Sequence, residues 1–147
     1  NAVGVVNAAL NEYMINAVAD GAVTLYHNNS AKIATTSGGV SVTGTVTASG
    51  DITAFSDRRI KTDISNIENG LDKVMQMQGV NYKRNDIEDA RQSIGVIAQD
   101  MEAIVPEVVL TADDDMQTKS VDYGKLTSVL IEAIKELKIE IDELKKV

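Results

Sequence analysis

The sequence predicts an α+β chain in two parts, a β-rich fibrous segment followed by a small mixed domain that ends in a long helix. Three observations lead there. Charge is distributed unevenly: of the 147 residues, the first fifty hold only Glu12, Asp20 and Lys32, although the net charge is −8. Between Gly21 and Ala54, short β-prone runs alternate with Gly, Ser and Asn turns. Near the C-terminus, Leu130, Ile134, Leu137, Ile141 and Leu144 recur at a spacing of 4-3-4-3, a heptad seam with Ile at a and Leu at d.

Residues 1–19 are small, apolar and Asn-rich, and the stretch from Ala8 to Ala19 is compatible with one or two helical turns but has no start or stop signal. Strands are expected at 22–26, 31–35, 40–43, 45–48 and 51–54, with turns at Asn28-Asn29-Ser30 and Ser37-Gly38-Gly39. Each run offers two or three apolar residues on one face, too few for an isolated meander in water. Association of several chains would complete such a core. The aromatic content of 3%, with one Phe and no Trp, points the same way.

Beyond the charge boundary near Gly50, Ser65 with Glu68 three residues later predicts a helix start, and Ile67, Leu71, Val74 and Met75 continue the helical spacing to about Gln78. Strands follow at 80–84, 93–97, 108–110 and 119–123, with a helical turn through Met101 to Val105 that Pro106 stops. The last helix is expected from about Tyr123 to Lys146, with Glu140 and Lys145 placed to pair between parallel neighbours. Taken alone, the a/d identities favour two strands.

Several functions are disfavoured. An acidic chain without a basic stripe is a poor partner for nucleic acid. No apolar run approaches a membrane span, and no basic region precedes a hydrophobic stretch, so neither membrane insertion nor secretion is expected. The absence of Cys removes disulfides and thiolate metal sites. Asp113-Asp114-Asp115 lacks the Gly and distal Glu of a Ca²⁺ loop, so an exposed acidic turn is expected and no metal. Gly124-Lys125-Leu126-Thr127 lacks the upstream Gly of a phosphate loop, since Lys119 stands there. His27, the single histidine, has no evident catalytic partner, and Asn28-Asn29-Ser30 matches a glycosylation sequon but reads as a turn. No cofactor is expected. The chain begins at Asn1 rather than Met and reads as a fragment of something longer.

One constellation carries chemistry. Ser56-Asp57-Arg58-Arg59-Ile60-Lys61 places a hydroxyl and an amine five residues apart in the first strongly charged stretch of the chain. A serine needs a neighbouring base, and a lysine serves as one only when neutral, a state that burial or nearby positive charge favours. Arg58 and Arg59 supply such charge, Asp57 and Asp63 oppose it, and the sequence does not fix the balance. The spacing alone is common in proteins, and without further signals a charged loop is the simpler reading.

Two later stretches make it specific. They are Gly95-Val96-Ile97-Ala98-Gln99-Asp100-Met101-Glu102, closing with Val105-Pro106-Glu107-Val108-Val109, and Val121-Asp122-Tyr123-Gly124-Lys125-Leu126, continuing into Leu130 to Leu137. In this order and spacing, over residues 51–147, the chain resembles the C-terminal intramolecular chaperone domain of phage tail fibres and tailspikes, a family of self-cleaving Ser-Lys peptidases. The resemblance implies a homotrimer, a β-stalk end over 1–55, a chaperone domain over 56–147 and a fibre or tailspike domain upstream in the same chain. It also implies cleavage in cis at Phe55-Ser56, with Ser56 as nucleophile and Lys61 as base. The stalk would belong to the virion tail fibre, and the chaperone would be released in the host bacterial cytoplasm during assembly. Two alternatives are a permanent trimerisation cap in which Ser56 and Lys61 are inert, and the same module in a membrane-tethered transcription factor, against which the phage-like stalk and the missing span argue.

Overall fold

A computed structural model describes residues 1–146 and divides the chain into two units, Asn1–Asp57 and Arg58 onward. The first unit is a five-stranded antiparallel meander in the order β1 (Ala2–Val6), β2 (Tyr13–Val18), β3 (Val23–His27), β4 (Ser30–Thr36) and β5 (Gly39–Val42). The turn between β3 and β4 shows how local chemistry sets register. His27 pairs with Ser30, and Asn28 and Asn29 between them have φ of 48° and 57°. That is the left-handed pair a two-residue type I′ hairpin requires, and Asn tolerates it better than most residues.

Register across the sheet produces one continuous apolar row, because Val5 pairs with Ile15, Ile15 with Leu25, Leu25 with Ile33 and Ile33 with Val42. Members of the row remain 38–46% exposed, so no second layer covers them within the chain. A second row begins with Val3 beside Ala17 and Ala17 beside Val23.

The strands differ from expectation at both ends. Residues 1–19 form β1 and β2 instead of helical turns, because Val3 and Val5 find cross-strand partners and Leu10, at φ 56°, turns the chain between them. Asn7 closes that turn, its side chain accepting the Asn11 N–H at 3.1 Å and donating to the Asn11 side chain at 2.7 Å. Conversely, 45–48 and 51–54 are not strands. Gly44, at φ 127°, leads the chain out of β5, and neither run acquires a ladder partner.

The second unit is mixed α+β and ends in a long helix. It contains a 3₁₀ turn at Arg58–Ile60, α1 (Gly70–Gln76), β6 (Val80–Tyr82), β7 (Ser93–Gly95) and α2 (Ala98–Ile104). A 3₁₀ turn at Pro106–Val108, β8 (Val109–Thr111), β9 (Lys119–Val121) and α3 (Tyr123–Leu144) complete it. Strands β6 and β7 pair antiparallel, as do β8 and β9. The acidic stretch closes the second hairpin: an Asp114 carboxylate oxygen accepts the Thr118 N–H at 2.8 Å, which lowers the Asp114 pKa.

The core is small. Met101, Val105, Val108 and Val129 are buried together, with Ile67, Val74, Met77, Val96, Ile104, Val109, Val121 and Leu126 packed against them. Asp122 sets the start of α3, its side chain accepting the Lys125 N–H while its own N–H donates to Val108 O at 2.8 Å. Met101 is 1% exposed at the centre of this cluster. Met101→Ala is therefore expected to cost about 2–5 kcal/mol through lost transfer energy and the cavity left behind. Urea unfolding at a fixed protein concentration measures it.

Helix α1 also departs from expectation, starting at Gly70 rather than Asn66. Asn69 is left-handed, at φ 55°, and makes no side-chain cap. The cap comes from Glu136 on α3, whose two carboxylate oxygens accept the Gly70 and Leu71 N–H groups at 2.9 and 2.7 Å. Gly70 is required there, since a Cβ would lie 2.7 Å from the Ala133 backbone nitrogen.

Candidate functional site

The expected catalytic stretch lies where the first unit ends and the second begins. Phe55 is 97% exposed in an irregular segment, and Ser56 is exposed beside it. Both belong to the first unit, as does Asp57. Arg58, Arg59 and Ile60 form the 3₁₀ turn that opens the second unit, and the Lys61 N–H closes it by donating to Arg58 O at 3.2 Å. Arg58 and Lys61 are thus brought into one turn. Asp63 follows in the left-handed region, at φ 51°, and redirects the chain towards Ile67 and α1.

Downstream, within the second unit, a cleft of about 670 Å³ opens between the Ser65–Glu68 loop and the core. Val105, Val108 and Val129 line its apolar part, and Lys73 and Lys125 stand at its polar part. Each ammonium is oriented by a backbone carbonyl: Lys73 donates to Glu68 O at 2.9 Å, and Lys125 to Glu107 O at 3.1 Å. Nothing in the local sequence marks this cleft, because its walls come from four separate elements.

On α3 the heptad residues Leu130, Ile134, Leu137, Ile141 and Leu144 are all exposed, while Val129 and Ala133 on the neighbouring face are buried. The helix therefore presents two apolar faces, one used by the core and α1, the other bare within the chain. Among the described residues no group of His, Cys, Asp or Glu side chains is arranged to hold a metal ion, and no helix is long and apolar enough to cross a membrane.

Residues 56–110 match the model of a peptidase family described as chaperone of endosialidase. This stretch, a little over a third of the chain, is similar to the chaperone domains of that family. The family is of the self-cleaving peptidase type, and its match with the chain begins at Ser56. Over 103 residues the chain is 37% identical to the long tail fiber protein Gp37 of Salmonella phage S16. A protein of the same name from Enterobacteria phage K3 is 33% identical over 94 residues, and one from Enterobacteria phage M1 is 35% identical over 101. These regions cover 60–65% of this chain but only 14%, 8% and 40% of the three relatives, so the chain spans a minor part of the proteins it matches. Sequence reasoning missed two residues that shape the second unit, Gly70 and Glu136. The only local signal for either was a glycine at the start of a helical pattern.

Proposed function

We propose that the chain is the C-terminal part of a phage tail-fibre protein, in which residues 56–147 act as an intramolecular chaperone for the stalk end over 1–55. Three copies associate through the bare face of α3 as a coiled coil, bring three stalk segments into register, and then release the chaperone by self-cleavage at Phe55-Ser56. The stalk remains on the virion tail fibre, below an upstream fibre domain of the same chain. The chaperone is left in the host cytoplasm. What most supports this reading is that the family match starts at Ser56. A domain released by cutting before its own first serine would begin at that residue.

The chemistry is an acyl shift followed by hydrolysis. Ser56 Oγ attacks the Phe55 carbonyl carbon while Lys61, neutral at that moment, takes the hydroxyl proton. The C–N bond then breaks, and the proton passes to the departing Ser56 nitrogen. An ester joins Phe55 to Ser56 Oγ until water cleaves it, leaving a carboxylate on Phe55 and restoring the hydroxyl.

Assembly through self-association follows from what the chain leaves uncovered. A single-layer sheet with an exposed row from Val5 to Val42 lacks the second layer that stabilises sheets in water. Threading weakly apolar chains together carries a large closure and registration cost, which a preformed trimer lowers. Removing the helper afterwards traps the stalk behind its unfolding barrier.

Intact mass measurement of freshly folded protein tests the reading. It should give fragments 1–55 and 56–147, with a yield set by folding rather than by protein concentration. A wild-type chain that stays whole after complete, trimeric assembly would establish the permanent cap instead.

A further inference from the structure

The contact between α1 and α3 has a form that core packing does not require. Gly70 is buried against the α3 backbone at Glu132 and Ala133, and one turn later Glu136 receives both leading N–H groups of α1. Asn69, a good capping residue, leaves that role to a carboxylate 66 positions from Gly70. The carboxylate sits on the helix that carries the bare heptad face, between Ile134 and Leu137 in sequence. The segment it holds is the one that follows Lys61, which lies nine residues before Gly70.

We propose that Glu136 is a positioning residue that couples assembly to cleavage: by capping α1 from the associating helix, it anchors the downstream end of the 58–69 segment carrying Lys61. This rests on the self-cleavage reading. In an unassembled chain only one face of α3 is held, by the core and α1, while the heptad face is left exposed. Once three α3 helices are locked together, Glu136 is fixed, and the start of α1 with it.

The electrostatics fit a carboxylate that stays ionised. Its pKa is lowered by the Leu71 and Gly70 N–H groups, which outweigh partial desolvation, and Lys73 from α1 adds to the effect. On its own helix two acids lie one turn away, Glu132, which is paired with Lys135 at 2.6 Å, and Glu140. Glutamine in its place retains one acceptor but turns an NH₂ towards the second N–H, so the paired cap is broken while shape and volume are kept.

The test compares the full-length wild type, Glu136→Gln and Glu136→Asp by light scattering and by the time course of fragments 1–55 and 56–147. The expected result is a trimeric Glu136→Gln chain that cleaves about tenfold or more slowly, in the lower range seen when a reacting group is misplaced. Glu136→Asp, a methylene too short to reach both N–H groups, should be slow as well. In acid, the wild-type rate should show a fall from protonation of Glu136 that the Gln variant lacks. A purely structural cap would leave that profile unchanged. Cleavage of a trimeric Gln variant at the wild-type rate overturns the proposal. So does loss of the trimer in both variants, which would make Glu136 a folding residue. If the wild type itself remains whole, the self-cleavage reading fails first and takes this one with it.

Discussion

Ser56→Ala should leave one full-length chain and no fragments, the largest single effect expected in this protein. No other hydroxyl is bonded next to the Phe55 carbonyl, and light scattering of the alanine chain checks that assembly is retained. Lys61→Ala should slow cleavage by about a hundredfold to ten-thousandfold, the usual contribution of a positioned base. Lys61→Arg should fail as well, because a guanidinium keeps its charge and cannot take the hydroxyl proton. Mass spectrometry of the folded chains measures all three. Rapid cleavage of the Ser56→Ala chain would remove Ser56 from the chemistry, and rapid cleavage of the Lys61→Arg chain would remove Lys61 as the base.

The second large effect concerns assembly. Ile134 is 66% and Leu137 44% exposed within the chain, so replacing both with Asp costs the isolated fold little. In a coiled-coil seam the same carboxylates would be buried without partners, at several kcal/mol each. Each 1.4 kcal/mol is about tenfold in association, so the trimer should be lost at micromolar concentration. Cleavage should be lost with it, while the circular dichroism of α3 persists. A double variant that remains trimeric by light scattering would place the interface elsewhere. If it instead loses its helical signal as a monomer, the heptad residues serve the fold of the chain.

Comparing these elements with the sequence shows where local reading works. Helix α3 was legible because its 4-3-4-3 spacing repeats within a few residues. The Asn28-Asn29 hairpin was legible for the same reason. By contrast, Thr45 to Ala48 has the same Thr, Val and Ala content as the runs that did become strands, yet it stays irregular. Strand propensity describes fitness for a pleated surface, and whether a partner strand is present decides the outcome. Residues 1–19, which the sequence left open, became strands for the same reason, since the pairing of β1 with β2 and of β2 with β3 is a property of the sheet.

Helix α1 was misplaced at its start because Ser65 and Glu68 form a plausible local cap, while the cap in use reaches from α3. At the candidate site, the spacing of Ser56 and Lys61 could be read directly, and so could the motifs of the chaperone domain. The contact of Gly70 with Glu136 could not be read, because the two meet only through the tertiary fold.

Helix α3 presents two adjacent apolar faces, with Ala133 packed inward and Ile134 left outward. Successive residues of a helix are about 100° apart, so a single insertion or deletion between Val129 and Leu137 would turn one face away from its target while leaving every residue type intact. Phase, not composition, is then what this stretch must conserve. Substitutions among aliphatic residues should be tolerated along it far more readily than any change in its length.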